Sequence, residues 1–526
     1  MQKIASLPFT SIASFPELVK DYLNRKKELH SFYNYEFSLE EFGKVMDEKR
    51  TQNLDRNALH SALIKQYSKL QNSEFIQPQI DSFLSAETFT VTAAHQPCLF
   101  LGPVFNVYKI AATINLTRQL KSAFPQKHFV PVFWMGSEDH DWEELGHTNV
   151  YGKTINWMAD DTHGAVGRIP TGNFATAIAS LQTILGEPGT EIVRYWSEVS
   201  QKHTAFGTMT QQYIHDLFGK YGLVVINQDD ADLKRLFIPV MKSEIVDQTA
   251  NAVLKENLAQ LSVNYKLQVV PREINFFYLQ KNSRKRIVKE SSHFKVLDTS
   301  VTFSKEQLVE EINAHPGRFS PNVVMRPLYQ EIVLPNLAFV GGAGELSYWL
   351  ELKPLFEQFS VNFPMLAMRP AFTILNASQF KKWQKLQIPL PFWFGDVEDL
   401  IKYYVKSQSN TDLSLESERQ QLESTFDALS EKAAAIDVTL KGAVDAEKQK
   451  ALQSLQIIAA KLMKAEKKKQ EEGVNQIRNL HQQLFPEGNW QERSENVVGF
   501  QLQHPDFIDQ IINLANPFEK SMLLLA

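Results

Sequence analysis

The stretch FTVTAAHQPCLFLGPVFNVYKIAATINLTRQL, residues 89–120, decides the fold class of this chain. Its first part is rich in β-branched and small apolar residues, and its last part has apolar residues at helical spacing. A continuous apolar run, FVPVFWMGS (129–137), follows and is typical of a strand buried on both faces. Strand, helix and strand in this order predict a βαβ unit and a mostly parallel sheet.

Two later strands continue this pattern. LVVINQ (223–228) precedes a helical stretch over 232–261, and LAFVGG (337–342) precedes another over 345–359. The chain is therefore predicted to be an α/β protein with a parallel-sheet core. Within the core, three segments are predicted as short antiparallel strands of an insertion: LQVVPR (267–272), NFFYLQ (275–280) and RKRIVKE (284–290).

The C-terminal third predicts a coiled coil. Its apolar residues follow a 4-3-4-3-4 spacing at Leu422, Phe426, Leu429, Ala433, Ile436 and Leu440, which maintains a seam against a partner helix. An antiparallel hairpin with Gly442 between its arms is the simpler interpretation. One long helix that pairs with another subunit is the alternative.

These patterns predict four regions. Residues 1–88 form an N-terminal helical segment joined to the core, and residues 89–407 form the core, with insertions near 151–190 and 265–303. Residues 408–486 form the coiled-coil domain, and residues 487–526 return to the core.

Composition limits the possible functions. The chain has 526 residues, 43% of them hydrophobic and 22% charged, which is ordinary for a globular protein and excludes global disorder. Its net charge of −5 gives no electrostatic reason to expect nucleic acid or a membrane as partner. The single cysteine excludes an intrachain disulfide framework and a zinc site of several cysteines. Neither a leader peptide nor a membrane span is predicted, so we expect a cytoplasmic protein.

The first candidate site is His95-Gln96-Pro97-Cys98, where a predicted strand ends. Open parallel sheets bind ligands at this edge, and helix N-termini present free N–H groups to anions. We expect His95 and Gln96 to be catalytic, and Gly102 to let a cofactor approach the backbone. A plain strand-to-helix turn with a hydrogen-bonded histidine is the alternative. Only His95 is available as a base for Cys98, which favours an inert thiol.

The second candidate is Glu138-Asp139-His140-Asp141, directly after the apolar strand. Four ionisable residues are costly to crowd together unless they bind a cation, a polar substrate or each other. Their spacing is not typical of a metal site, so no metal is predicted here. We expect Asp139 and His140 to be catalytic, and Glu138 and Asp141 to bind substrate. A solvated acidic loop that caps a helix is the alternative.

The third candidate is the glycine-rich turn Gly341-Gly342-Ala343-Gly344, which leads into Glu345. Its glycines free the backbone to hold a phosphate or carboxylate, so Gly341, Gly342 and Gly344 are predicted to bind a cofactor. Glu345 opens the following helix and is predicted to bind substrate. The turn lacks the full dinucleotide fingerprint and the P-loop Lys-Ser/Thr pair.

Three further side chains are predicted to bind substrate: Asn322, Arg326 and Tyr348. Asn322 and Arg326 lie between Pro321 and Pro327, which limit the backbone. Arginine is suited to a bidentate contact with carboxylate or phosphate. A structural arginine paired with a core carboxylate is the alternative.

With these segments in place, the sequence resembles the bacillithiol biosynthesis cysteine-adding enzymes, the BshC family. The resemblance covers most of the chain, and five segments carry it in family order: HQPCLFLGPVFNVYKI (95–110), PVFWMGSEDHDWEEL (131–145), SPNVVMRPLYQEIVLP (320–335), AFVGGAGELSYW (338–349) and LFPEGNWQER (484–493). The family pattern usually has glycine where Cys98 stands, which argues further against a catalytic thiol.

The resemblance implies a Rossmann-like core similar to that of nucleotidylyltransferases and class I aminoacyl-tRNA synthetases. It also implies two connecting insertions, a C-terminal coiled-coil domain and a homodimer. The implied reaction is the last step of the pathway, in which the carboxyl group of L-cysteine forms an amide with the amine of glucosaminyl-malate.

A nucleotide is expected on chemical grounds. A carboxylate is a poor acylating agent at neutral pH, so an acyl-adenylate or acyl-phosphate is expected, and with it ATP (or its product ADP) and Mg²⁺. The His-x-Gly-His signature of class I synthetases is absent, because Gln-Pro-Cys follows His95. The expectation of nucleotide therefore rests on reaction energetics.

Roles within this reaction follow as hypotheses. His95 and Gln96 are assigned to the activating end, the 138–141 cluster to the substrate amines, and Arg326 with Asn322 to a malate carboxylate. Two other functions stay open: an ATP-dependent nucleotidylyltransferase or amide ligase that acts on another small amine, and an inactive coiled-coil scaffold. The polar clusters at three strand ends argue against a scaffold.

Overall fold

The strands of the protein form four sheets. The structure is a computed structural model that describes residues 1–526. Its fifteen strands are β1 (Lys3–Pro8), β2 (Thr88–His95), β3 (His128–Met135), β4 (His147–Val150), β5 (Lys153–Asn156), β6 (Val224–Asn227), β7 (Phe276–Gln280), β8 (Ser283–Glu290), β9 (His293–Val296), β10 (Thr302–Phe303), β11 (Phe319–Pro321), β12 (Asn336–Gly341), β13 (Met365–Met368), β14 (Ala371–Ile374) and β15 (Ser521–Leu525).

Helices connect and cover these sheets. Those that precede β6 are α1 (Glu17–Leu23), α2 (Phe42–Thr51), α3 (Arg56–Tyr67), α4 (Gln77–Ser82), α5 (Phe105–Ala123), α6 (Trp142–Leu145), α7 (Ala175–Leu185), α8 (Thr190–Lys202) and α9 (Phe206–Phe218). Those between β6 and the coiled coil are α10 (Ala231–Arg235), α11 (Ile238–Asp247), α12 (Thr249–Ser262), α13 (Lys305–Ala314), α14 (Arg326–Val333), α15 (Ala343–Leu350), α16 (Lys353–Gln358), α17 (Ala377–Leu386), α18 (Leu390–Trp393) and α19 (Val397–Gln408). The last are α20 (Glu416–Ile436), α21 (Leu440–Lys469), α22 (Glu471–Leu484), α23 (Gln491–Ser494), α24 (Val497–Gln503) and α25 (Phe507–Leu514).

The predicted parallel sheet is confirmed. Its order is β13-β12-β2-β3-β6, and every neighbouring pair is parallel. After β2 the chain moves to one side for β3 and β6, and it returns on the other side of β2 for β12 and β13. The strand order therefore reverses between β2 and β12, where open parallel sheets have a crevice outside their carboxyl ends.

Helix α5 forms the centre of one face of this sheet. It packs against β2 and β3 on one side and against α25 on the other. Twelve of its nineteen residues are buried, as expected for a helix that is apolar over most of its surface. This burial fixes the start of α5 beside the carboxyl end of β2.

A second sheet, antiparallel, has the order β10-β9-β8-β7-β11. It contains two of the three strands predicted for the insertion. The prediction of a strand at LQVVPR was wrong, because Glu351 accepts the backbone N–H groups of Gln268 and Val269 at 2.7 and 3.1 Å. These N–H groups are thus satisfied by a side chain, and Pro271 has none to donate.

The chain termini meet in the third sheet, which has the order β1-β15-β14. β1 pairs antiparallel with β15, and β15 runs parallel to β14. Residues 1–88 contain the helices α1–α4, as expected, but the region opens with the strand β1, which was not predicted. Its partner strand lies more than 500 residues away, and a pairing across that separation leaves no local sequence pattern. The remaining sheet is the short antiparallel pair β4-β5.

The predicted antiparallel hairpin is confirmed by α20 and α21. Ser430 donates to Asp445 Oδ1 at 3.2 Å and Lys448 donates to Asp427 Oδ1 at 2.6 Å, which sets the two arms side by side. The turn between the arms spans residues 437–439. Gly442 was predicted to lie between the arms, but it lies inside α21. None of the helices qualifies as a membrane span, because none has a sufficiently long stretch of apolar residues.

Candidate active site

A cavity of about 490 Å³ opens at the carboxyl ends of β2, β3 and β12. It therefore lies at the point where the strand order reverses, the usual ligand site of open parallel sheets. Most of its lining residues are polar. The charged ones are Lys109, Asp139, Glu144, Arg284, Arg326, Glu345, Arg369 and Arg493.

His95 and Gln96 line this cavity at the end of β2, as the sequence predicts. The rings of His95 and Phe105 form a T-shaped pair with their centres 5.2 Å apart, and His95 Nδ1 lies 3.2 Å from the carbonyl oxygen of Gln96. Burial, and next the positive charge of Lys109, lower the pKa of His95 to about 3. Its imidazole is therefore neutral at physiological pH.

Asp139 lines the cavity beside Gln96. Its Oδ2 accepts a hydrogen bond from Gln96 Nε2 at 2.8 Å, and its Oδ1 accepts the backbone N–H of His140 at 2.7 Å. Burial alone raises the pKa of Asp139, but the hydrogen bonds and the charge of Arg284 outweigh it and hold the pKa well below its usual range. Asp139 is therefore a fixed negative charge in the cavity.

Arg284 enters the cavity from β8 in the antiparallel sheet. It stacks on Phe277, with its guanidinium carbon 3.9 Å from the ring centre. It donates to the Ser320 hydroxyl at 3.0 Å, to the Pro321 carbonyl at 3.1 Å and to His140 Nδ1 at 2.9 Å. These contacts lock its orientation toward Asp139, whose Oδ1 lies 3.7 Å away.

Lys109 and Glu345 form an ion pair that joins α5 to α15. Lys109 Nζ lies 2.6 Å from Glu345 Oε2 and donates to the carbonyl of Ala94 at 3.1 Å. Glu345 also accepts the N–H of Gly342 at 2.9 Å, which caps its own helix. Gly342 and Gly344 line the cavity beside this pair.

Arg326 lines the cavity without a carboxylate partner. It donates to the hydroxyl of Tyr348 at 2.8 Å and to Gln330 Oε1 at 3.3 Å. The alternative of a structural arginine paired with a core carboxylate is thus not what the structure contains. Asn322 lines the cavity too, but its Oδ1 accepts the N–H groups of Val324 and Met325, which starts α14.

Glu138 does not line the cavity. It is fully buried and pairs with Lys234, and it accepts a hydrogen bond from Gln228 at 3.3 Å. Burial raises the pKa of Glu138 to about 7, although Lys234 opposes this shift. The substrate-binding role predicted for Glu138 is therefore corrected to a structural one, because its carboxylate is occupied by an internal partner.

Four more predicted residues also lie outside the lining of the cavity. Asp141 caps α6 by accepting the N–H of Glu144, which is the capping alternative named for this cluster. His140 accepts a hydrogen bond from Arg284, so it contacts a lining residue and does not itself line the cavity. At Gly102 a β-carbon would lie within 2.3 Å of Thr148 and Asn496 atoms, and at Gly341 within 2.9 Å of Phe339 and Leu346. The two glycines serve packing.

Cys98 is buried and does not line the cavity. Its thiol donates to the carbonyl of Gln96 at 3.4 Å and lies 3.5 Å from His95 Nδ1. Burial raises its pKa well above the usual value, so the thiolate is disfavoured. This environment is consistent with the inert thiol that the sequence indicates.

Five charged lining residues were not among the predicted site residues: Lys109, Glu144, Arg284, Arg369 and Arg493. Lys109, Glu144 and Arg493 lie in segments that carry the family resemblance, and this position was the only sign in the sequence that they could belong to the site. Arg284 begins the basic run of the predicted strand RKRIVKE and Arg369 follows a short apolar stretch, so no local motif marks either of them as a site residue. Burial, and next the charges of Asp141 and Asp139, raise the pKa of Glu144.

The site can hold a small polar ligand of mixed charge. Asp139 provides a fixed negative charge, whereas Arg326 and Arg493 are cations without acidic partners among residues 1–526. No group of three or more His, Cys, Asp or Glu side chains in the chain is arranged to hold a metal ion. The lining therefore suits ammonium and oxyanion groups held at separate points.

Comparison with known proteins gives matches over the whole chain. The family model described as "Bacillithiol biosynthesis BshC, N-terminal Rossmann-like domain" matches residues 3–370, and its "C-terminal coiled-coil domain" matches residues 372–526. The two models meet at the start of β14, whereas the sequence pattern alone suggested a border at 407–408.

Curated relatives named "Putative cysteine ligase BshC" cover nearly the same length. The relative from Flavobacterium psychrophilum is 39% identical over 92% of this chain and 91% of its own. Those from Flavobacterium johnsoniae and Christiangramia forsetii are each 37% identical, over 97% and 98% of this chain and 97% and 99% of their own.

Proposed function

The chain belongs to the bacillithiol biosynthesis BshC family, and we propose on that premise that it is a cysteine ligase. In this proposal it joins the carboxyl group of L-cysteine to the amine of glucosaminyl-malate through an amide bond, in a nucleotide-dependent reaction. The enzyme is proposed to work in the cytoplasm as a homodimer.

One observation carries the proposal from the structural side. The cavity at the β2–β12 crevice contains an ionised carboxylate and two cations without acidic partners. Both substrates are small and carry ammonium and carboxylate groups together. A lining of this mixed charge fits such substrates better than it fits an apolar ligand or a uniformly anionic one.

Asp139 is proposed to hold a substrate ammonium group. Its low pKa keeps it ionised, and Gln96, His140 and Arg284 fix its orientation. The pKa of Glu144 shifts the opposite way, because partial desolvation and the charges of Asp141 and Asp139 raise it. It is therefore the carboxylate better suited to accept the proton that the amine loses when it attacks the acyl carbon.

His95 and Gln96 are proposed to face the acyl group. Neutral His95 can donate or accept a hydrogen bond without adding a charge beside Lys109. Arg326, with Tyr348 as its support, is proposed to bind a malate carboxylate. Asn322 supports this contact indirectly, since its side chain holds the start of α14.

ATP would supply the phosphoryl or adenylyl group that turns the cysteine carboxylate into an acylating agent. The cationic lining and the glycine turn at Gly342 and Gly344 suit phosphate oxygens. Mg²⁺ is commonly held mainly by substrate phosphates, and the phosphate oxygens of ATP would be its main ligands here, because Asp139 is assigned to the ammonium group and Glu144 to the proton.

The test is turnover by the purified protein with ATP, Mg²⁺, L-cysteine and glucosaminyl-malate, with the thiol product measured by mass spectrometry. We expect Asp139→Asn to lower kcat/KM at least 100-fold, because removal of a charge-assisted contact in a buried site costs about 3 kcal/mol. The melting temperature should fall only modestly, because Arg284 loses its carboxylate neighbour but keeps its hydrogen bonds to Ser320, Pro321 and His140.

Asp141→Asn is the matched control. It removes the same charge two residues away, outside the cavity, and asparagine caps a helix as well as aspartate does. Because the charge of Asp141 also raises the pKa of Glu144, we expect near wild-type activity at a pH where Glu144 is ionised in both proteins, and any difference to be confined to lower pH. Absence of the thiol product in wild-type protein, together with unchanged bacillithiol in a strain that lacks the gene, would contradict the ligase proposal. Turnover of another small amine would then favour the alternative ligase.

A further inference from the structure

The segment after the coiled coil contributes the side chain of Arg493 to the cavity. The two residues before Arg493 attach this segment to the core. Gln491 exchanges two hydrogen bonds with the backbone of Ile374 in β14, at 2.8 and 3.0 Å. Glu492 binds Arg369 in a bidentate ion pair, at 2.6 and 2.9 Å. Arg493 follows directly and lines the cavity.

The side chain of Arg493 is bound by no other residue of the protein. Its guanidinium has no hydrogen bond and no salt bridge with any residue from 1 to 526, and its carbon lies 5.9 Å from the centre of the Phe105 ring. Arg369 approaches the same ring at 5.4 Å. Phe105 thus lies beside two guanidinium groups at the start of α5.

Arg369 supplies a second free donor at this place. It is 3% exposed and lines the cavity, and its Nε has no hydrogen-bond partner. A β-carbon at position 342 would lie 3.6 Å from this nitrogen, so Gly342 keeps the space in front of it open. A buried N–H without a partner is costly, unless a ligand supplies the acceptor.

We propose that Arg493 and the Nε–H of Arg369 form an oxyanion subsite that binds a carboxylate or phosphate group of a substrate. Glu492 neutralises Arg369 and so leaves one net positive charge at the subsite, from Arg493. Arg326 lies on α14, a different element, so a ligand with two anionic groups can be held at two points. The proposal rests on the proposed ligase function for the identity of the substrate, but not for the binding itself.

Equilibrium binding tests this directly and needs no turnover. Isothermal titration of the wild-type protein, Arg493→Ala and Arg493→Lys with L-malate, inorganic phosphate and L-cysteine distinguishes the sources of the oxyanion. For at least one of these three ligands we expect affinity to fall at least tenfold in Arg493→Ala. We expect a smaller loss in Arg493→Lys, which keeps the charge but not the planar fork.

Folding and function are separated by controls. The side chain of Arg493 holds no other residue, so Arg493→Ala should melt at the wild-type temperature, and the exposed Arg194→Gln should bind all three ligands normally. Where turnover is measurable, KM for the matching substrate should rise more than kcat falls. Wild-type protein that binds none of the three ligands, or affinities of Arg493→Ala within twofold for all of them, would overturn the subsite. Loss of turnover alone would affect only the ligase proposal.

Discussion

At the scale of single residues, the cavity keeps neighbouring groups in different protonation states. Burial and the charge of Lys109 favour neutral His95, whereas hydrogen bonds and Arg284 favour ionised Asp139. Glu144 has a raised pKa because it is partly desolvated and lies near the carboxylates of Asp141 and Asp139. A site with a fixed charge, a neutral imidazole and a readily protonated carboxylate can bind an ammonium group and also accept its proton.

The protonation of His95 is testable by its pH dependence. With a pKa of about 3 in the folded protein and about 6.5 when unfolded, His95 takes up a proton on unfolding at any pH between these values. It therefore makes no contribution to stability above about pH 6.5. Below that pH it destabilises the fold progressively, by at most about 1.4 kcal/mol per pH unit.

We expect a melting temperature that drops more steeply for wild-type protein than for His95→Asn between pH 7.5 and pH 5. In NMR spectra of protein with labelled histidines, the resonance that disappears in His95→Asn should not shift over that range. A midpoint between pH 5.5 and 7.5 for that resonance would contradict a neutral His95. The inflection of any pH–rate profile near neutrality should also persist in the variant.

At the scale of elements, two of the glycines predicted to bind a cofactor occupy opposite environments. Gly102 leads into α5 and has no room for a β-carbon, because Thr148 and Asn496 atoms lie about 2 Å from its position. Gly344 lies in the first turn of α15, lines the cavity and has open space around it.

We expect Gly102→Ala to lower the free energy of unfolding by about 1–3 kcal/mol through overpacking. Gly344→Ala should be neutral or stabilising by up to about 1 kcal/mol, since alanine favours a helix. If the turn cradles phosphate, Gly344→Ala should also raise KM for ATP while its melting temperature holds. Equal melting temperatures for the two variants would contradict the packing at Gly102.

Elements with local patterns were predictable, and those that depend on distant partners were not. The strand and helix predicted within residues 89–120 correspond to β2 and α5. They were predictable because strand composition and helical spacing depend only on residues close in sequence. β1 was missed because only β15 gives it a reason to be extended. The strand predicted at 267–272 failed because Glu351 satisfies its backbone.

At the scale of the whole molecule, the cavity is assembled from distant parts of the chain. β2 and α5 supply His95 and Lys109, the antiparallel sheet supplies Arg284, and the segment after the coiled coil supplies Arg493. The sequence could predict that residues at the carboxyl ends of the strands meet in one site, because these ends lie at the same edge of a parallel sheet. It could not predict the roles of Arg284 and Arg369, because no local motif distinguishes either from a surface arginine and the role of each depends on packing.

The coiled-coil hairpin is attached to the core only at its base. Helix α21 has no buried residue, and α20 has one, Ser430. By contrast, α22 buries Val474, Ile477, Leu480 and Leu484 against the core. The pairs Asp427–Lys448 and Ser430–Asp445 define a single antiparallel register of the two arms. In that register Glu416 at the start of α20 lies opposite Ala459 on α21. The arms beyond these residues therefore contribute little to the stability of the core.

The exposed apolar residues of the hairpin indicate where a second copy would bind. Ile436 and Val438 near its tip are 83% and 74% exposed, and Ile457 and Ile458 are half exposed on α21. Exposed apolar patches on a soluble protein commonly mark an interface. If the proposed homodimer forms through the hairpin, its formation buries these side chains and gains about 25 cal/mol for each Å² of apolar surface removed from water.

Replacing residues 417–458 by a short Gly-Ser linker should therefore give a monomer with an intact core. In analytical ultracentrifugation we expect wild-type protein to sediment as a dimer and the shortened protein as a monomer at the same concentration. Its melting temperature should stay within a few degrees, because the removed arms bury almost nothing. The double variant Ile457→Asn, Ile458→Asn, at exposed positions of a retained hairpin, should weaken the dimer at least tenfold, whereas Lys450→Gln on the same helix should not. A shortened protein that still sediments as a dimer would put the interface on the core, and a monomeric wild-type protein would remove the dimer from the proposal altogether.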